Sequence, residues 1–377
     1  MNTLRDKGRG GEEKIKMNPN QVLNAYAAYS INKFERHDSS SGGLFSLLAK
    51  SVLSEGGLVY GVAMSSDCKR AEFARVAKES DLRCLRGSKY LQAHVGQTFK
   101  SVKDDLDFGK AVLFSGTGCQ VNALKQFLCG GKYDANAFEE KYPNLYCVDV
   151  ICHGAPSPAL WKEYVKHIEK QNDAKLVSIN FRCKDDSWND FGMKLINEKY
   201  KELYISKDKD PYMIMFLRDY CLRPSCYECK AKELKLSDIT LADFWGIDNV
   251  APEMNDGKGT SLILVRTNKG KQLFQEITSE LKIKEVSYEE GVVGNPSEYK
   301  SVTRPLERNV FFDDMHSLSF EELKGKYGTP KPISIKRKIK FFIKRALIKA
   351  GIFAGGGGLT NDSYGLQFRF QTRDEGE

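Results

Sequence analysis

Apolar residues alternate along this chain between short unbroken runs and stretches recurring at helical spacing, with glycine, proline and serine between them. Short runs bounded by turn residues read as buried strands, and the helical period reads as amphipathic helices. Leu44–Leu53 carries the helical period, and Leu58–Met64 is a strand. Residues 111–129 form the clearest unit, with a strand over Ala111–Ser115, the turn Gly116-Thr117-Gly118, and a helix from Cys119 to about Leu128. A second unit follows, with a strand over Asn144–Ile151, the turn Cys152–Pro156, and a helix from Pro158 to about Lys170 that Ser157 caps and proline opens. Further strands are expected at Val177–Arg182, ahead of Asp243–Gly246, and at Ser261–Thr267, which a helix follows to about Leu281. A hairpin is expected through Tyr204 and an apolar helix at Met213–Tyr220. Gln21–Asn32 reads as a short helix or loop, and beyond Tyr288 the pattern is irregular.

Strand–helix units joined by short turns imply an α/β fold, with a mixed, mostly parallel sheet and flanking helices. Loops at the carboxyl edge of such a sheet are where functional groups gather. Four regions are expected: a disordered tail over 1–20, an N-terminal region over 21–105, a larger domain over 106–325, and a tail over 330–377.

With 377 residues, 41% of them hydrophobic and 29% charged, the chain has the composition of a folded protein. It has no apolar run long enough to span a bilayer and no secretory leader at Met1–Lys16, so the cytoplasm is the expected compartment. The net charge of +8 is local, because 331–353 holds eight Lys or Arg and no acid. That leaves the body neutral and argues against a nucleic-acid groove. From Ile335 to Leu347 the apolar residues share one helical face flanked by cations. A basic amphipathic C-terminal helix is therefore expected, lying on anionic lipid at the inner membrane face or docked on protein.

Ten cysteines spread over a chain without a leader suit thiols and metal ligation better than disulfides. Cys68, Cys84, Cys129, Cys147 and Cys183 read as small buried hydrophobes. Cys119, Cys152, Cys226 and Cys229 each adjoin glycine, proline or a tight turn. The pair Cys226-x-x-Cys229 directs two sulfurs to one side, and Cys119 and Cys152 sit at strand ends. Four thiolates so placed suit an iron–sulfur cluster or zinc, with no metal as the remaining alternative. Cys221 is a reserve ligand, and Cys119 at a helix start is also a conceivable nucleophile. The glycine-containing run Ser41-Gly42-Gly43 before a helix offers free N–H groups to a phosphate, or forms an ordinary cap. Ser88-Lys89-Tyr90 is a phosphate contact or a surface turn.

Seven segments in order, SSSGGLFSLLAK, RGSKYLQ, VLFSGTGCQVNALK, DVICHGAPSP, FRCKDDSW, RPSCYEC and SDITLADFWG, resemble the coenzyme F420 hydrogenase/dehydrogenase beta-subunit family from about residue 24 to 270. The resemblance implies an oxidoreductase in which FAD passes electrons between iron–sulfur clusters and a two-electron acceptor. It implies a [4Fe–4S] cluster on Cys119, Cys152, Cys226 and Cys229, in a cysteine loop over the sheet's carboxyl edge. Flavin contacts would fall on Ser41, Gly42, Gly43, Ser88, Lys89, Tyr90, Thr117 and Gly118. Many bacterial relatives occur in polysaccharide-synthesis contexts and begin with a ferredoxin module. Here the first cysteine is Cys68, so a separate ferredoxin or electron-donor subunit is the expected partner, and the two-electron substrate is unidentified. His153 and Asp243 are weak candidates for a general acid, or structural hydrogen-bonding groups. The alternative function is a non-catalytic or zinc-stabilised accessory protein of a membrane-associated polysaccharide-synthesis assembly.

Overall fold

A computed structural model describes residues 22–330 apart from Lys132, Asp186 and Ser187. The expected tail over 1–20 and the basic helix within 331–353 lie outside the described residues.

Twelve strands are described: β1 (Asn24–Ser30), β2 (Leu58–Met64), β3 (Ala71–Val76), β4 (Ala93–His94), β5 (Val112–Thr117), β6 (Leu145–Val150), β7 (Leu176–Cys183), β8 (Gly192–Asn197), β9 (Glu202–Ser206), β10 (Ile239–Asp243), β11 (Ser261–Val265) and β12 (Leu281–Val286). Nine form one mixed sheet in the order β12-β1-β11-β10-β6-β5-β2-β3-β4. Its centre, β10-β6-β5-β2, is parallel, while β11, β1 and β12 continue it by antiparallel pairing. Strands β7, β8 and β9 make a separate antiparallel sheet.

The central strands are apolar on both faces because helices cover both. Side chains alternate across a strand, so Leu113 of β5 packs with Leu47, Leu48 and Val52 of the helix Leu44–Ser54. Val112 and Phe114 point the other way, against Val102, Val121 and Leu124 of the helices Thr98–Asp107 and Gly118–Cys129. A third, aromatic core joins Trp161 and Tyr164 of the helix Pro158–Asn172 to Tyr212, Phe216 and Phe311. It packs the small sheet's Phe181 and Met193 against the same helix.

Local signals set several boundaries. Gln120 reaches back to the Thr117 N–H at 2.9 Å, closing the start of Gly118–Cys129. Pro158 and Pro211 each open a helix, and Asp210 caps the second through the Met213 N–H at 2.8 Å.

One expectation is corrected. Gln21–Asn32, read as a short helix or loop, contains the strand β1, which lies between β11 and β12. Alanine favours helices in isolation, but strand pairing overrides so weak a preference. Ala25, Ala27 and Ala28 are all buried. Their small side chains let other backbone come close, and the Ala28 carbonyl lies 2.6 Å from where a Cβ on Gly42 would be.

Candidate functional site

Strand register brings the chemistry together. In the pairing of β5 with β6, Thr117 stands opposite Val150, and in that of β6 with β10, Val150 pairs in turn with Leu241. Cys119, Cys152 and Asp243 each lie two residues beyond one member of this row. Three functional side chains are thereby set side by side at the carboxyl edge of three parallel strands, the position at which open α/β sheets bind ligands.

The segment 222–232 is laid over that edge and tied to the turn that bears Cys152, while its Ala231 sits beside Gly118 of the other turn. Arg223 N–H donates to the Ala155 carbonyl at 2.9 Å, Leu222 bridges to Pro156, and Ala155 N–H approaches Cys226 Sγ at 3.4 Å. The Cys229 N–H donates to Ser301 Oγ at 2.9 Å. Lys232 Nζ donates to the Cys152 carbonyl at 2.5 Å and to the Ser297 carbonyl. Cys119, Cys152, Cys226 and Cys229 all line one large cavity of about 2390 Å³.

The four thiols sense one another. Burial pushes Cys152 up to about 12; Lys232 opposes the shift, and Cys119, Cys226 and Cys229 add to it as like charges. Cys226 is also raised, by burial first and then by Cys119 and Cys229. Among the described residues no group of three His, Cys, Asp or Glu is placed to hold a metal ion. Zinc draws its sulfurs in to bonds of about 2.3 Å, whereas a cluster interposes iron and sulfide and accepts thiolates standing farther apart. The all-thiolate donor set lining the cavity is of the kind that such a cluster takes.

The remaining cysteines stand apart from this cavity. Cys221 is buried in the aromatic core and raised to about 12 by burial. Cys68, Cys147 and Cys183 are buried as expected, and Cys129 is half-buried at its helix end. Cys84 is exposed, against expectation, because it lies in the short 3₁₀ helix Glu79–Leu85, whose buried side chains are Leu82 and Leu85.

The cavity's second wall is built from two loops. Ser40 Oγ accepts the Ser88 N–H at 2.8 Å and lies 2.9 Å from Ser88 Oγ, so the loop before Leu44–Ser54 is joined to the turn at Gly87. Lys184 Nζ fastens the same loop from behind, through the carbonyls of Arg36 and Ser41 at 2.6 and 2.8 Å. Lys89 Nζ donates to the carbonyls of Arg86 and Cys84 at 2.7 and 3.1 Å, and burial pushes its ammonium down to about 7. Of the residues expected to contact a flavin, Ser41, Gly43, Ser88, Lys89, Tyr90 and Thr117 line the cavity. Gly42 and Gly118 are not among the lining residues. They are glycines for lack of room, since a Cβ on Gly118 would meet Asp149 Oδ2 at 2.8 Å.

His153 and Asp243 line the cavity too, each with a partner. His153 Nε2 lies 2.6 Å from Asp219 Oδ1, with its ring edge-on to Phe216. Asp243 pairs with the buried Arg182, whose guanidinium lies over Phe191 and Trp245, and Trp245 stacks on Trp188. Sequence reasoning flagged the motifs holding Arg182 and Trp188 without assigning either residue a place. Ser40 lies in the flagged segment SSSGGLFSLLAK but was given no place of its own, and Lys232 was missed altogether because it sits in an ordinary charged run.

Residues 109–290 match the family model for the C terminus of the beta subunit of coenzyme F420 hydrogenase/dehydrogenase. No curated protein matches the sequence. Among solved structures, the chain is similar to one in the xenon-derivatised F420-reducing [NiFe] hydrogenase complex from Methanosarcina barkeri. That similarity has 14% identity and a TM-score of 0.48, over 71% of this chain and 84% of that one.

Proposed function

We propose that this chain, whose residues 109–290 match the coenzyme F420 hydrogenase/dehydrogenase beta-subunit family model, is an oxidoreductase of that family and carries electrons between a [4Fe–4S] cluster and a two-electron acceptor by way of FAD. The observation that carries the proposal is the row of Cys119 and Cys152 on paired strand ends, faced by the Cys226–Cys229 segment across one cavity. When bound, the cluster would exchange single electrons and the flavin would convert them to a two-electron step.

The rest is the work of this chain's residues. Cys119, Cys152, Cys226 and Cys229 would hold the cluster as thiolates. The backbone at the start of Leu44–Ser54, with Ser40, Ser88 and Lys89, would receive the anionic part of the flavin, because a helix N-terminus presents free N–H groups. Tyr90, Arg182 and Trp245 would shape the far wall, and the His153–Asp219 pair would hold or pass a proton. A cavity of about 2390 Å³ exceeds the roughly 300–1000 Å³ of an ordinary small-molecule site, which supports room for a second ligand beside the flavin. The acceptor is an unassigned two-electron substrate, and the family's deazaflavin is one candidate. A separate electron-donor protein completes the reading. Among the described residues no helix is long and apolar enough to cross a membrane.

Anaerobic purification tests the proposal. About four irons per chain, a flavin absorption spectrum, and bleaching by dithionite are expected. Zinc in place of iron, or neither iron nor flavin, would overturn it in favour of a non-catalytic role.

A further inference from the structure

A buried charged row runs behind the four cysteines. Asp149 Oδ1 accepts from Thr240 at 2.5 Å, Thr240 Oγ1 accepts from Arg266 Nε at 2.7 Å, and Arg266 reaches Glu298 at 2.5 Å. Lys235 Nζ closes on the other oxygen of Glu298 at 3.1 Å. Both oxygens of Glu298 are thus taken. Lys232, the next cation along, donates to two carbonyls, those of Cys152 and Ser297. Among the described residues no carboxylate lies within ion-pair distance of it. Two anions and three cations make up the row, and Lys232 is the surplus positive charge, seated on the backbone of one of the four cysteines.

We propose that Lys232 is a positioning residue whose fixed charge raises the reduction potential of the sulfur site, while its two hydrogen bonds hold the Cys152 turn against the Ser297 loop. The inference rests on the reading that these cysteines hold a cluster. A thiolate-ligated cluster takes on one more negative charge when it accepts an electron. An ammonium held close to it in a poorly solvated setting favours that more negative state, and more strongly than it would in water. Lys232 is well placed for this, because its Nζ lies 2.5 Å from the backbone carbonyl of Cys152, one of the four cysteines. The other two cations of the row are balanced by its two carboxylates, since Lys235 and Arg266 share Glu298 and Arg266 also reaches Asp149 through Thr240.

The test uses the full chain, purified anaerobically as wild type, Lys232→Gln and Lys232→Arg. Iron per chain is measured on each, and the midpoint potential is taken from a dithionite titration followed by electron paramagnetic resonance. Glutamine keeps a donor without the charge, and arginine keeps the charge with a different shape. The expected result is unchanged iron in all three, a lower midpoint potential for Lys232→Gln, and a potential near wild type for Lys232→Arg. An unmoved potential in Lys232→Gln, or equal shifts in both variants, would overturn the role of the charge. Loss of iron from Lys232→Gln alone would overturn it too, leaving a structural lysine. A wild-type chain that takes up no iron would remove the cluster reading and this inference with it.

Discussion

Arg182 Nη1 lies 2.5 Å from Asp243 Oδ2, with the guanidinium enclosed by Phe191 at 4.4 Å and Trp245 at 5.3 Å from the ring centres. The pair joins the small sheet, through β7, to the carboxyl end of β10 in the large one. Two of the arginine's nitrogens, Nε and Nη2, have no hydrogen-bond partner, and aromatic faces stand in for acceptors there. The arrangement fixes the orientation of the one carboxylate in the register row that carries both strand-end cysteines.

Removing one member of this pair leaves the other charge without its partner. Arg182→Met is expected to lower stability by about 3–5 kcal/mol, the usual range when a buried ion pair is broken from one side. Arg182→Lys should recover little, because a compact ammonium cannot lie flat between two rings. Urea denaturation of both single variants and of Arg182→Met/Asp243→Asn would check this. The double variant should lose clearly less than the sum of the singles.

Each of Cys119→Ser, Cys152→Ser, Cys226→Ser and Cys229→Ser is expected to lose most of the bound iron, since serine is a poor replacement for thiolate. Cys84→Ser and Cys183→Ser, away from the cavity, should keep it. Iron per chain after anaerobic purification reads both outcomes. Equal retention in the two groups would refute the ligand assignment.

Two neighbouring glycines should respond to alanine for different reasons. At Gly42 the new methyl would meet the Ala28 carbonyl at 2.6 Å and Ser261 Oγ at 2.8 Å, a crowding worth about 1–3 kcal/mol. At Gly43 the crowding is milder, with the Arg36 Cα and the Glu35 carbonyl at 3.3 Å, but φ is +91°, a left-handed conformation that costs an L-residue about 1–2 kcal/mol. Both variants should melt earlier. Because both distort the start of Leu44–Ser54, both should also release flavin more readily, as absorbance after gel filtration would show.

Asp210 gives a pH signature. It is fully buried, with Tyr164 Oη at 2.6 Å, and burial pushes its carboxyl up to about 6 against the hydrogen bonds that favour the charged form. The folded protein therefore holds a proton that the unfolded chain releases near pH 4. Stability from this group is full below about pH 4 and is lost as pH rises through 6. The change amounts to about 3 kcal/mol at about 1.4 kcal/mol per pH unit. Asp210→Asn should flatten the slope of unfolding free energy between pH 4 and 6.

The parallel units were legible in the sequence because their signals are local. Gly116-Thr117-Gly118 before an apolar helix and Ser157-Pro158 before another mark strand ends and helix starts within a few residues, and that set Cys119 and Cys152 at one sheet edge. What escaped depends on distant partners. Nothing in the alanine-rich stretch 24–30 foretells the strands of residues 261–265 and 281–286 that flank it. Lys232 looks like any lysine between Lys230 and Lys235 until the Cys152 and Ser297 carbonyls are seen around it. Ser40 shows the same limit, because its bond to Ser88 spans 48 positions.

The insertion of β1 between β11 and β12 means that the recognised stretch 109–290 is not a self-sufficient folding unit. Excised on its own, that stretch would lack β1 and β2. β12 would be stranded, and β5 and β11 would each present a bare row of amide and carbonyl groups. Open strand edges of that kind recruit other molecules, so such a fragment would self-associate.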